Sequence, residues 1–194
     1  MQLLLSPAKK QVFQPNDQPI VSTPQYLNEA EQLVNEMKTF DAKTLENKMS
    51  ISKSLAILNK QRYDDWTIHH TVSNSQCAVF AFQGGVYKGL DINTISSDCW
   101  EFMQKHVRIL SGLYGILKPF DLIQPHRLEM GNQCINLYNF WGTKIYQAIV
   151  DEMSSPVIIN CASKEYFKSV HQPNVMTTIT PVFLDYKNGV YKII

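Results

Sequence analysis

The chain reads as an α/β or α+β protein, a single domain with a mixed sheet flanked by helices. Three observations predict this. Continuously apolar runs at residues 3–5, 77–82 and 157–159 have strand length and are bounded by Ser, Pro, Gly or Asn, as strands buried on both faces are. Between them lie stretches with apolar residues three and four apart, the helical period. The two kinds of segment alternate along the chain, which favours helices packed on a sheet.

Leu3-Leu4-Leu5 predicts a buried strand ended by Ser6-Pro7. Thr23-Pro24, with proline tolerated in a first turn, opens a helix carrying Leu27, Ala30, Val34 and Met37 on one face. A second helix carries Ile51, Leu55 and Leu58 on one face. The run 77–82, bounded by Gly84-Gly85, predicts a central strand. Asp98 can cap a helix with Glu101 three residues on, and Trp100, Met103, Val107 and Leu110 form its inner stripe. Residues 139–150 predict a helix, 156–160 a buried strand and 163–170 a short helix. Residues 176–184 and 190–194 predict two strands around Lys187-Asn188-Gly189, a hairpin signal. No repeat or linker divides residues 1–194. The ending, Tyr191-Lys192-Ile193-Ile194, falls within a predicted strand, which suits a complete protein, a truncated one or one with a disordered remainder.

With 194 residues, 44% hydrophobic and 18% charged, the chain can bury a substantial core. No stretch approaches the roughly 18 to 20 apolar residues that span a bilayer, and the opening lacks the basic region of a signal peptide. An intracellular, cytoplasmic protein without a membrane partner is expected. Cys77, Cys99, Cys134 and Cys161 are scattered and His69-His70 are adjacent, so no metal site, cofactor or protein partner is expected from the spacing. A net charge of +1 excludes a protein that coats nucleic acid over its whole surface.

Charge is nevertheless concentrated locally. From Gln104 to Arg127 the cations Lys105, Arg108, Lys118 and Arg127 stand against one acid, Asp121, a net +3 over 24 residues. Inside this segment Leu-Ser-Gly-Leu-Tyr-Gly-Ile, with Gly112 and Gly115 three apart, can bend tightly between two helical pieces. Backbone amides at the start of the second piece would then grip phosphate, as in a helix-hairpin-helix element. The alternative is an ordinary helix stop at Gly112 with the cations on a solvated face. Pro119 limits any second helix to barely two turns.

A second set of polar residues follows two predicted strands. Ser6 to Lys10 follow the first, and Asn160 to Lys168 follow a late one, where open α/β sheets hold their ligands. Lys9, Arg127 and Lys168 can converge there on an anion, with Glu129 or Glu165 as base or orienting partner and Asn160 and Ser163 beside them. The alternative is a set of surface lysines and an exposed Arg127–Glu129 ion pair. There is no phosphate-loop motif, nucleophile elbow or His-Glu-x-x-His. Tyr138, Phe140 and Trp141 can stack on bases or fill the core.

The run Leu110-Ser111-Gly112-Leu113-Tyr114-Gly115-Ile116-Leu117-Lys118-Pro119-Phe120-Asp121, with Gln124-Pro125-His126-Arg127-Leu128-Glu129-Met130-Gly131, closely resembles the signature of the YaaA family of bacterial peroxide-stress-resistance proteins. Leu4 to Lys9, Leu137-Tyr138 with Phe140-Trp141-Gly142, Asn160 with Ala162-Ser163 and residues 165–170, and Pro181 to Asp185 with Lys187-Asn188-Gly189 extend the resemblance over the whole chain in order.

The resemblance implies a cytoplasmic protein that binds single- and double-stranded DNA through a helix-hairpin-helix element. It also implies protection against hydrogen peroxide and a limit on free iron and the DNA damage that iron drives. Lys105, Arg108, Ser111, Gly112, Tyr114, Gly115, Lys118 and Arg127 become the expected DNA-contacting set. A further basic segment in family members makes a C-terminal truncation the expectation here. Lys118 stands where the family usually has Arg, His126 where it has Tyr and Gly85 where it has Asp. The other reading is an enzyme acting on a nucleotide or a damaged nucleic-acid end through Lys9, Arg127 and Lys168, with Glu129 or Glu165 as catalytic acid or base.

Overall fold

The computed structural model describes residues 1–14, 20–170, 176–187 and 189–193. The first expected strand is β1 (Gln2–Leu5), followed by the short β2 (Lys10–Gln11). Helix α1 (Leu27–Lys38) starts later than the expected Thr23-Pro24 opening and buries Ala30, Val34 and Met37 of the expected face together with Leu33, leaving Leu27 half-buried. Helix α2 (Ala42–Met49) is an addition: the Asp41 carboxylate accepts from the Thr44 amide at 2.7 Å, and Ser50 ends the helix at φ 51°. Helix α3 (Lys53–Asp65) lies where a second helix was expected, but turned. Leu55 and Leu58 are exposed, and Ala56, Asn59 and Tyr63 face inward. The Tyr63 hydroxyl donates to the Arg127 carbonyl, which anchors that face.

Residues 77–82 are buried except for the half-buried Phe80, yet they do not form a strand. β3 (Gln76–Cys77) passes into one helical turn, α4 (Ala78–Ala81), and then β4 (Phe82–Gln83). The Ala78 and Val79 amides bond the Asp121 and Pro119 carbonyls, both at 2.9 Å. A short apolar run has no period to distinguish these states. Helix α5 (Gly85–Leu90) and two 3-10 turns, Ile92–Thr94 and Ser97–Cys99, lead to α6 (Trp100–His106). Asp98 lies in the second turn and does not cap α6.

The expected helix over 98–110 therefore stops at His106. Residues after it form β5 (Val107–Ser111), which pairs antiparallel with β6 (Gly115–Leu117) in the register Ile109↔Leu117, Leu110↔Ile116 and Ser111↔Gly115. The two glycines thus flank the turn of a β-hairpin, and the helix-hairpin-helix expected at this bend is replaced by it. The reason is the neighbour: β5 pairs in parallel with β1, Leu4 opposite Arg108 and Leu5 opposite Ile109, and a sheet partner overrides the helical spacing of Met103, Val107 and Leu110.

Beyond β7 (Leu122–Ile123), the expected helix over 139–150 is two, α7 (Leu137–Trp141) and α8 (Lys144–Asp151), divided at Gly142. β8 (Val157–Asn160) and the short α9 (Lys164–Phe167) are as expected. β9 (Thr177–Ile179) leaves the expected tail hairpin and pairs with β8, while β10 (Leu184–Lys187) and β11 (Val190–Ile193) make the hairpin. Asn188 and Ile194 of that expectation lie outside the described residues.

The main sheet has the order β6-β5-β1-β8-β9, with β5, β1, β8 and β9 parallel and β6 antiparallel. Its core joins Leu4, Ile109 and Leu110 of the sheet to Leu33, Met37, Tyr63, Ile145 and Ile149 of the helices. Among the described residues no helix is long and apolar enough to cross a membrane.

Candidate functional site

The bend at residues 111–115 is core. Ser111, Gly112, Tyr114 and Gly115 are all buried. The Tyr114 amide donates to Ser111 Oγ at 3.1 Å, and Trp141 Nε1 donates to the Gly112 carbonyl at 3.0 Å. Trp66 Nε1 and the Gln124 amide donate to the Tyr114 oxygen, each at 3.1 Å, while His70 Nε2 lies 3.0 Å away. His70 Nδ1 lies 3.2 Å from the Ile68 carbonyl and 3.3 Å from Gln124 Nε2; because the Tyr114 oxygen already accepts from two donors, it gives its own proton to His70 Nε2. Burial raises the Tyr114 phenol and lowers the His70 imidazole from their ordinary pKa values.

The two glycines serve close packing. A Cβ on Gly112 would lie 2.1 Å from the Leu128 carbonyl oxygen, and one on Gly115, at φ +70°, would lie 2.8 Å from the Trp141 ring. Glycine at 112 lets the segment 126–131 lie directly against the bend.

Arg108 and Lys118 come together at the opposite, amino-terminal end of β1. The buried Arg108 guanidinium donates to the Gln104 carbonyl at 2.9 Å and the Lys105 carbonyl at 3.2 Å, closing the last turn of α6, and to Glu152 just after α8. Lys118 Nζ joins the same carboxylate at 2.9 Å. Burial would raise the Glu152 carboxyl, but the bonds from Lys118 and Arg108 hold it below its ordinary value. Lys105 is exposed on α6. A basin of about 240 Å³ opens here beside Gln104, Asp121 and Glu152. Arg127 lies in a different place.

The carboxyl ends of three parallel strands form that place. Leu4 of β1 stands opposite Asn160 of β8, so the turns after these strands meet. The Ser163 amide donates to Ser6 Oγ at 2.9 Å, and the two hydroxyls lie 3.3 Å apart. Asn160 Oδ1 accepts from the Ala162 amide at 3.0 Å and shapes the turn into α9. Segment 126–131 crosses the end of β5. Arg127 Nε donates to Glu129 Oε1 at 2.8 Å, Lys9 Nζ lies 3.9 Å from the same oxygen, and the Gly131 amide donates to Glu165 Oε1 at 2.8 Å.

Lys9, Lys48, Arg127, Glu129, Asn132 and Glu165 line an open cleft of about 330 Å³. Only 15% of the Arg127 side chain is exposed. Among the described residues its Nη groups meet no acceptor, so Glu129 fixes the guanidinium by one nitrogen and leaves the planar fork in the cleft.

Lys168 is not part of this set, because its ammonium lies over the Tyr138 ring, 4.5 Å from the centroid. Trp141 is core and Tyr138 is tied to the Glu165 carbonyl at 2.9 Å. Sequence reasoning missed Lys48, in the last turn of an unexpected helix, and Asn132, whose side chain accepts from the Cys134 amide at 2.7 Å. The Asp41 cap of α2 was the available signal for Lys48. Among the described residues no group of three or more His, Cys, Asp and Glu side chains can hold a metal ion.

The sequence of residues 1–194 matches throughout the family described as peroxide stress protein YaaA. The chain belongs to the YaaA family. UPF0246 proteins of Burkholderia mallei (strain SAVP1) and Burkholderia thailandensis (strain ATCC 700388) are each similar to it at 46% identity over 209 residues, covering 100% of this chain and 79% of the relative. The residues that carry the likeness of this YaaA-family chain fall into two groups. Those of the bend build the core and support segment 126–131. Arg127, Glu129, Gly131 and Glu165 line the cleft, and residues 160–163 shape the turn that leads into α9.

Proposed function

We propose that this peroxide-stress protein binds DNA, single- and double-stranded and without reading sequence, through the cleft at the carboxyl ends of β1 and β8. In the cytoplasm this binding limits iron-dependent oxidative damage to the DNA. The observation that carries the reading is the Arg127 guanidinium, held on Nε by Glu129 and, among the described residues, without an acceptor on its Nη groups, in a cleft that Lys9 and Lys48 also line. A planar fork suits two phosphate oxygens, and the flanking ammonium groups supply charge without base readout. The Arg108–Glu152–Lys118 group sets two cations against one carboxylate, but its buried guanidinium spends both terminal nitrogens on the Gln104, Lys105 and Val107 carbonyls and on Glu152.

Fluorescence anisotropy with labelled single- and double-stranded oligonucleotides over a salt series tests this. Arg127→Ala is expected to weaken binding at least about tenfold and to reduce the log–log salt slope by about 1. Lys105→Glu is expected to change affinity less than about twofold, since Lys105 lies away from the cleft. If Lys105→Glu abolished binding and Arg127→Ala did not affect it, the cleft would not be the DNA site.

A second reading, action on a nucleotide or damaged nucleic-acid end, draws on the presence of Glu129 and Glu165 among the cations of one cleft. Product formation from end-damaged duplexes, lost in Glu129→Gln, would support it, and unchanged substrate under saturating protein would exclude it.

A further inference from the structure

Beneath the cleft lies a smaller space of about 20 Å³, lined by His126, Phe82, Ser111 and Tyr166 and sharing Lys9, Arg127 and Glu129 with the cleft above. That volume holds one water-sized group and no more. His126, only 4% exposed, fixes its chemistry. Its Nδ1 lies 2.8 Å from the Gln124 carbonyl, and a carbonyl only accepts, so the ring proton is on Nδ1 and Nε2 carries a lone pair. Edge contacts with Tyr114, centroids 5.2 Å apart, and Phe82, 6.4 Å, hold the ring in place. Among the described residues Nε2 has no hydrogen-bond partner. Burial pushes the imidazole down to about 4, which keeps it neutral and accepting at physiological pH. An acceptor on a residue so little exposed, lining so small a space, favours a ligand that supplies the donor.

The donor must be one heavy atom in size and must sit close to a phosphate, because Lys9 and Arg127 border both spaces. A sugar hydroxyl meets both conditions. In DNA an unesterified sugar hydroxyl exists only at a strand end, and a continuing strand cannot pass through a space of this size. We propose that the slot is a subsite for the terminal sugar hydroxyl of a DNA strand, accepted by His126 Nε2, so that the protein holds strand ends in preference to continuous strands. The proposal rests on the reading of the cleft as the DNA site.

The test is competition against a labelled oligonucleotide by unlabelled oligothymidylates, whose bases are identical in every competitor, so that only the terminal sugar hydroxyls differ. The competitors are a linear strand, the same strand circularised, and linear strands lacking either the 3′- or the 5′-terminal hydroxyl. The circle is expected to compete about tenfold more weakly than the linear strand, the range one buried hydrogen bond controls. Loss of one hydroxyl is expected to reproduce that effect and to identify which end is held. His126→Phe, which removes the acceptor and keeps a flat ring, is expected to abolish the difference between linear and circular strands, with circular dichroism checking its fold. Equal competition by linear and circular strands in the wild type would overturn the proposal whether or not the variant folds. If Arg127→Ala weakened binding while linear and circular strands competed equally, the end subsite alone would fail. If Arg127→Ala had no effect, the cleft reading itself would fail.

Discussion

Gly112 has no side-chain chemistry, yet it determines where the cleft residues stand. A methyl group at this position would lie 2.1 Å from the Leu128 carbonyl oxygen, and backbone cannot yield as a flexible side chain would. Gly112→Ala is expected to lower unfolding free energy by about 2 to 3 kcal/mol, read from urea denaturation, and to weaken DNA binding by displacing Arg127. A loss under about 0.5 kcal/mol, the range of a neutral surface change, would contradict the packing account.

His126 gives a pH signature at the same scale. Its folded-state pKa, about 4, lies below its ordinary 6.5, so the unfolded chain takes up the proton first as pH falls. The contribution of His126 to stability is complete above about pH 6.5, declines between there and about 4, and is flat below. At about 1.4 kcal/mol per unit, the decline totals about 3 kcal/mol. Denaturation midpoints of wild type and His126→Phe should therefore converge as pH falls through that window, and parallel profiles would contradict the assignment.

Elements explain why the charged residues of one stretch separate. Arg108 closes the carbonyl end of α6 and joins it to the end of α8 through Glu152. Glu152→Gln leaves a buried guanidinium without its counterion. Because Glu152 is about a third exposed (34%), solvent screens part of the loss, and a cost of about 1 to 3 kcal/mol is expected with DNA affinity unchanged within about twofold. A large loss of affinity in a folded variant would place the DNA site at this end.

Periodicity made α1 legible, and short apolar runs with polar ends made β1 and β8 legible. It failed at residues 107–111, where Val107 and Leu110 satisfy a helical stripe but β1 supplies a strand partner more than 100 positions away. No local signal contains that pairing. The same long-range neighbour turned the supposed phosphate grip into a core hairpin. Lys9, Arg127, Glu129 and Glu165 were legible as a group because the end of a parallel strand is a predictable place for ligands, whereas Lys168 turned onto Tyr138. Lys48 depended on recognising Asp41 as a cap.

For the molecule as a whole, the arrangement separates two tasks. The amino end of β1 carries an ion network that fastens helices to the sheet, and the carboxyl ends carry a cleft where the Nη groups of Arg127, among the described residues, meet no acceptor. A near-neutral chain can then bind a polyanion locally without attracting it everywhere. Contacts from Lys9, Lys48 and Arg127 correspond to a single-strand salt slope of about −2; a much steeper slope would require a wider basic surface.

Backbone amide shifts during titration with oligothymidylate test the location of the site most directly. The expected result is a set of perturbed amides at Lys9, Arg127, Glu129, Gly131 and Glu165, with Lys105, Arg108 and Lys118 unmoved. Shifts confined to Lys105, Arg108 and Lys118 would contradict it and return the DNA site to the other end of the sheet.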